Sequence, residues 1–245
     1  MRNIAFLLAI LAAAPAFAGT WTSKTVPGGQ GGNLLGLAGP SETKAFGIGA
    51  IKDQQGNDQM VWVRSPDGDT WSIQQMQPPS PGEMVILTDL QCASATRCFA
   101  VGMGINQQTM GFYNRFAIST DGGDTWAWPP PLMYAESRLI ILDEQNIWAV
   151  GGATNGLKSS NGGNKWTFVT PRIGDDMFTA LQDGSFIDLQ NGWLVNGSAE
   201  TDDKTGKVTA IDPKGALLRT TDAGKTWTAL FRDVSELPSR VKFVP

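Results

Sequence analysis

One short cassette recurs four times along the chain and constrains it more than any other feature. The copies are Ser65-Pro66-Asp67-Gly68-Asp69-Thr70-Trp71, Ser119 to Trp126 (STDGGDTW), Ser159 to Trp166 (SSNGGNKW) and Thr220 to Trp227 (TTDAGKTW). Their central residues Asp67, Asp121, Asn161 and Asp222 stand 40 to 61 positions apart, the size of a four-stranded propeller blade and too long for a two-helix solenoid unit. Each copy reads as a β-hairpin tip. An apolar strand enters it (Met60-Val61-Trp62-Val63, Phe116-Ala117-Ile118, Leu157-Lys158, Ala216-Leu217-Leu218), and another leaves from Trp71, Trp126, Trp166 or Trp227. A turn carboxylate accepts N–H groups further along the turn, glycine permits positive φ, and the Trp carries a large buried area into the blade. Asn161 supplies the same acceptor without charge, which a general acid, base or metal ligand would tolerate poorly, so the cassette has a structural task. The first copy is one residue shorter, and a tightened turn is expected there.

A second repeat precedes each cassette: Phe46-Gly47-Ile48-Gly49, Phe99-Ala100-Val101-Gly102, Trp148-Ala149-Val150-Gly151 and Trp193-Leu194-Val195-Asn196. Each is an apolar run ending at Gly or Asn, as a buried strand meeting a turn should be. The chain therefore reads as an all-β propeller of four-stranded antiparallel blades. Four sets are complete, running from Leu34 to Ile73, Val85 to Trp128, Leu139 to Val169 and Phe186 to Leu230. Gly19 to Val26, with Trp21, reads as an outer strand and Arg240 to Val244 as an inner one, together a partial fifth blade. Two alternatives stay open: a ring of four blades plus this partial fifth, or the front part of a longer propeller.

Residues 1–18 read as a cleavable signal peptide: Arg2, an apolar core from Ile4 to Ala13, and a small-residue site at Ala16-Phe17-Ala18. Residues 19–245 then form a single exported domain, periplasmic or secreted. No stretch approaches the roughly 20 apolar residues of a membrane span. The formal charge is −4, or −5 without Arg2, which speaks against a nucleic-acid partner. Cys92 and Cys98, between two apolar strands, are most simply a disulfide in an oxidising compartment, with a redox-active pair as the rival. The chain has no His, which removes Ser-His-Asp and Cys-His catalysis and leaves no zinc ligand set beyond two thiols. No cofactor or metal is expected. Asp202-Asp203 with Glu200 matches no EF-hand spacing, and oligomeric state leaves no mark in the sequence.

Propeller ligands sit on the face built by the connections between the outer strand of one blade and the inner strand of the next, together with the second-to-third-strand loops. Those connections run from Gln74 to Glu83, Pro129 to Arg138, Thr170 to Asp183 and Phe231 to Ser239. The loops run from Lys52 to Gln59, Ile105 to Tyr113 and Ser198 to Lys214. Met133, Tyr134, Arg138, Arg172, Asp175, Asp176 and Arg232 are the candidate binding residues of this face.

The cassettes resemble the Asp-box, or BNR repeat, of sialidase-like propellers, in which the box stabilises the outer hairpin of each blade. The resemblance permits a glycosidase, which would need three arginines, a Tyr paired with a Glu, and an Asp acid. The chain lacks the Arg-Ile-Pro type motif ahead of the first box, and Tyr113 and Tyr134 are its two tyrosines. The pairing of an aromatic-Ala-Val-Gly strand with S-T-D-G-G-x-T-W is similar to exported bacterial relatives of the photosystem II stability and assembly factor. That resemblance implies a non-catalytic scaffold with a protein or glycan partner.

Overall fold

The structure, a computed structural model, describes residues 26, 32–132, 136–152, 155–197, 199–201, 208–211, 215–232 and 240–242. The expected signal peptide and Trp21, Met133, Tyr134, Asp202 and Asp203 lie outside these residues. Among the described residues there is no helix, hence none long and apolar enough to cross a membrane.

The chain forms successive antiparallel sheets, the blades of a β-propeller. Blade one comprises β1 (Asn33–Ala38), β2 (Ala45–Lys52), β3 (Asp58–Ser65) and β4 (Ser72–Gln75). Blade two comprises β5 (Glu83–Cys92), β6 (Cys98–Asn106) and β7 (Phe112–Ser119). Blade three comprises β8 (Arg138–Ile141), β9 (Ile147–Val150), β10 (Gly156–Ser159) and β11 (Thr167–Val169). A small hairpin, β12 (Arg172–Ile173) with β13 (Asp176–Met177), leads to blade four, which comprises β14 (Leu181–Phe186), β15 (Gly192–Asn196), β18 (Ala216–Thr220) and β19 (Thr228–Arg232). The insertion in blade four is a separate hairpin of β16 (Ala199–Thr201) and β17 (Val208–Ile211). The inner strands β1, β5, β8 and β14 touch one another in that order.

Blade two differs from the expected four-stranded set. Its outer segment, Trp126-Ala127-Trp128-Pro129-Pro130-Pro131-Leu132, meets β7 through isolated bridges at Ile118–Ala127 and Asn114–Leu132. Three consecutive prolines have no N–H to donate, so no continuous ladder forms between those bridges. The end segments also differ in what is visible. Val26 packs with Val61, Val63 and Trp71 in blade one. Arg240–Lys242 forms no ladder strand but lies beside β14, with the Val241 N–H on the Asp183 carboxylate at 3.0 Å.

The core lies between blades. Phe46, Ile48, Trp62 and Met76 of blade one pack with Val85, Leu87 and Leu90 of blade two. Phe99, Val101, Phe116 and Ile118 pack with Leu139 and Ile147 of blade three. Trp148, Val150 and Ile140 pack with Leu194, Leu218 and Trp227 of blade four.

The cassettes build both the blade and its junction with the preceding blade. In the second, third and fourth copies the central Oδ1 accepts the N–H of the residue four positions on, Thr125 at 2.9 Å, Lys165 at 2.8 Å and Thr226 at 2.8 Å. The leading hydroxyl, from Ser119, Ser159 or Thr220, donates to that oxygen and accepts the N–H of Gly123, Gly163 or Gly224. Trp126, Trp166 and Trp227 each donate Nε1–H to the carbonyl three residues back. The shorter first copy is tightened as expected: Asp67 takes the N–H groups of Asp69 and Thr70, and Trp71 Nε1 is buried with no partner.

Each later Trp then crosses to the preceding blade. Trp126 stacks on Trp62 at 4.3 Å, Trp166 on Phe116 at 4.3 Å, and Trp227 meets Trp148 edge-on at 6.2 Å. Cations from the preceding blade close the junction on cassette carbonyls: Arg64 on Asp124, Arg97 on Gly162 and Lys158 on Ala223. At Gly123 a Cβ would press into the Phe46 ring, so glycine there is required by the blade-to-blade approach.

Within the blade, the first turn carries the cassette. Thr96, Gln145 and Gln190 carbonyls accept N–H from Gly122, Gly162 and Ala223. Asp143-Glu144-Gln145-Asn146 and Asp188-Leu189-Gln190-Asn191 form matching turns in which Asp Oδ1 caps two N–H groups at 2.7 Å each. In blade two the Cys92–Cys98 disulfide takes their place at the ends of β5 and β6.

Candidate functional site

The loop face between blades one and two carries an open groove of about 480 Å³. Its apolar surface comes from Leu35 on β1, Met60 on β3, Met76 after β4, and Met84 and Ile86 on β5. The alternation of β5 explains this placement: Glu83, Val85 and Leu87 are buried, while Met84 and Ile86 point away from the sheet core. Met84 is 39% and Leu35 44% exposed. The loop closing β6 and β7 rises at the rim. Gln107 lines the groove, Met110 holds φ of +54° at the loop tip, and Phe112 is exposed.

Behind the blade-two wall lies a buried ion pair. Arg115 Nε donates to Glu83 Oε1 at 2.5 Å and Nη2 to Oε2 at 2.6 Å, while Nη1 reaches the Pro129 carbonyl at 3.3 Å. The Arg115 guanidinium also sits over the Tyr113 ring at 5.1 Å. Strand register builds this arrangement, because Gly104 on β6 faces Tyr113 and a Cβ there would collide with the Tyr113 ring and with Glu83 Oε1. Burial, and then the Glu83 charge, push the Tyr113 hydroxyl above its usual range. Burial alone would lower Arg115, but the Glu83 hydrogen bonds and charge outweigh it and raise it. A bidentate pair this dry fixes the wall in one geometry.

Of the expected binding residues, Met133 and Tyr134 lie outside the described residues and the others are spread over blades three and four and the hairpin between them. Arg232, closing β19, donates to Asp176 at 3.1 Å and lies over Phe178 at 5.4 Å, which joins two of them. Arg172 and Asp175 belong to the β12–β13 hairpin beside that pair. Arg138 opens β8 on blade three near Asp89, whose carboxyl burial raises, with hydrogen bonds from Leu139, Gln91 and Leu90 and, least, the Arg138 charge opposing. Glu83 and Tyr113 close the expected loop ranges and stand in β5 and β7, whereas Arg115 lies inside β7, outside those ranges. Its signal was an arginine in the run Phe112-Tyr113-Asn114-Arg115-Phe116-Ala117-Ile118, since a charge at a buried strand position requires a partner.

The cassette acids are committed to their own turns. Hydrogen bonds from Thr70 hold Asp67 down to about 2, and those from Thr226 do the same for Asp222. At Asp121 burial would raise the carboxyl, but the hydroxyl and N–H of Thr125 and the hydroxyl of Ser119 overcome it and lower it. Such carboxylates are poor proton donors or acceptors near neutrality. Among the described residues no three His, Cys, Asp or Glu side chains converge as a metal site. A second cavity of about 320 Å³ lies on the cassette side between blades two and three, beside Arg97, Trp128, Pro129 and Asn164.

No protein-family model matches the chain, and no curated protein matches it. Among solved structures it is similar to YCF48 bound to D1 peptide, at 12% identity and TM-score 0.46, covering 88% of this chain and 86% of that one. It is also similar to YCF48 from Cyanidioschyzon merolae, at 16% identity and TM-score 0.43, covering 79% and 68%. A third is MPT-4, a mannose phosphorylase from Leishmania mexicana in complex with phosphate ion, at 11% identity and TM-score 0.37, covering 80% and 65%.

Proposed function

We propose that this chain is an exported, non-catalytic Asp-box propeller that binds a partner protein on its loop face, in the groove between blades one and two. The observation that carries the reading is the groove itself, a methionine-rich apolar floor with Met84 and Leu35 exposed and Gln107 at its rim. Adaptable thioether side chains and a contiguous exposed apolar patch suit a protein contact. Export, with residues 19–245 as one domain, is supported by the reading of residues 1–18 and by the Cys92–Cys98 disulfide, a bond favoured by oxidising compartments. Affinity capture from the exported fraction of the source tests this reading. A partner retained by the wild type and lost with Met84→Glu supports it; equal capture by both, or none, overturns it.

A glycosidase is the second reading, favoured by the proximity of Tyr113 to Glu83. Glu83, however, presents both oxygens to Arg115, which leaves it badly placed to take a proton from the Tyr113 hydroxyl. Turnover of a fluorogenic sialoside, abolished in Tyr113→Phe, would establish this reading instead.

A further inference from the structure

The charged side chains lining the groove are Asp58 on the blade-one wall and Glu83 on the blade-two wall, of which Glu83 is buried and neutralised by Arg115 and Asp58 is the exposed one. Their counter-ions do not line it: Lys52 meets Asp58 at 2.8 Å and Arg115 holds Glu83 from the side of β7. The Asp58 side chain remains 70% exposed within its pair. Asp53, at the start of the same turn, receives the N–H groups of Asn57 and Gln55, which lower its pKa and keep it ionised. The connection from Lys52 to Gln59 thus carries two carboxylates and one lysine. The uncharged polar lining is Gln59, Gln75 and Gln107, amides able both to donate to and to accept from a peptide main chain.

Taking the groove as the binding site proposed above, we infer that its occupant is an extended segment of a partner protein carrying a lysine or arginine among apolar side chains. The apolar residues lie on Met60, Met76 and Met84, the cation comes to the Asp58 side, and the glutamines take the main-chain polar groups. The acidic rim rejects a segment with glutamate or aspartate in the same place, because like charges opposed across a partly dry contact are unfavourable.

Panning a random-peptide display library on the immobilised full chain, with Met84→Glu as counter-selection, tests the inference, followed by fluorescence anisotropy on the enriched peptide. The expected motif is apolar with a Lys or Arg. Replacing that residue by Glu weakens binding roughly tenfold at low ionic strength, the difference shrinks in high salt, and Asp58→Lys reverses the preference. Asp58 is exposed, so this variant keeps its fold, which circular dichroism verifies. Groove-dependent peptides without a basic residue, or with an acidic one, overturn the charge assignment and leave the groove reading standing. Enrichment of no peptide sensitive to Met84→Glu overturns both.

Discussion

The Asp183 carboxylate receives the backbone N–H of Val241 at 3.0 Å, and Asp89 receives that of Leu139 at 2.7 Å. Both acids follow a bulge in an inner strand, at Leu87/Asp89 and Leu181/Asp183. The bulge turns the carboxylate out of its own ladder and toward the next segment around the axis. Since Leu139 belongs to the inner strand of blade three, Val241 takes the position that an inner strand takes in the following blade. Inner-strand acids and outer cassettes thus latch successive blades at two radii.

Asp89 caps Leu139 N–H and Leu90 N–H and accepts from Gln91. Asp89→Ala takes this acceptor from the Leu139 and Leu90 N–H groups, while Gln91 keeps the Leu139 carbonyl, and is expected to destabilise the chain by about 2–3 kcal/mol. Asp89→Asn, which keeps one acceptor oxygen, should lose less. Urea denaturation midpoints of the two variants check the order, and equal midpoints for wild type and Asp89→Ala would show that the latch carries no stability.

Trp71 and Trp166 provide a matched contrast. Trp166 Nε1 donates to the Gly163 carbonyl at 2.9 Å, whereas Trp71 Nε1 is buried without a partner. Trp→Phe removes a hydrogen bond in the third cassette but an unsatisfied donor in the first. Trp71→Phe should therefore be better tolerated than Trp166→Phe by about 1 kcal/mol, measured as the difference in thermal unfolding.

The Cys92–Cys98 bridge closes the turn whose Thr96 carbonyl holds Gly122 N–H and whose Arg97 reaches Gly162 in blade three. Replacing both cysteines by alanine is expected to cost about 2 kcal/mol through the freed turn. Amide exchange should accelerate at Gly122 more than at Ala223, whose equivalent turn is held by Asp188 instead. Uniform acceleration would contradict the local role of the bridge.

Much of this architecture is legible in the sequence because it is repeated. The cassettes, the apolar strands before them and the Asn161 exchange all find their places, since each depends on residues within a few positions of one another. The matching turns at Asp143 and Asp188 were equally local but went unread, because two copies of Asp-x-Gln-Asn carry less weight than four cassettes. The groove is different in kind. Glu83 and Arg115 meet across the three strands of blade two, 32 positions apart, and Met60 and Met84 meet across a blade junction. Such pairings follow from register and blade packing, which local pattern does not encode. The outer strand of blade two, expected to end at Trp128, is instead a single bridge at Ala127, and Pro129-Pro130-Pro131 beyond it has no N–H groups to extend a ladder.

Glu136 sets the response of the fold to pH. Its side chain is buried, Oε1 has no partner, and its own N–H is donated to Asn114 Oδ1 at 2.6 Å. Burial pushes the carboxyl from 4.5 up to about 7. Through that window the folded chain keeps a proton that the unfolded chain has released, so stability falls as pH rises and levels off above it. Asp67 and Asp222 act with the opposite sign. Held down to about 2, they contribute stability above their ordinary value of 3.8 that is lost as pH falls toward 2. The stability profile of these groups together is a dome with its summit between the two windows. Glu136→Gln keeps the shape and fixes the neutral state, so it should raise stability at about pH 8 by about 2 kcal/mol and leave that at about pH 4 unchanged. Denaturation midpoints at the two pH values decide the matter: a variant that still loses stability between them as the wild type does would remove Glu136 as the cause.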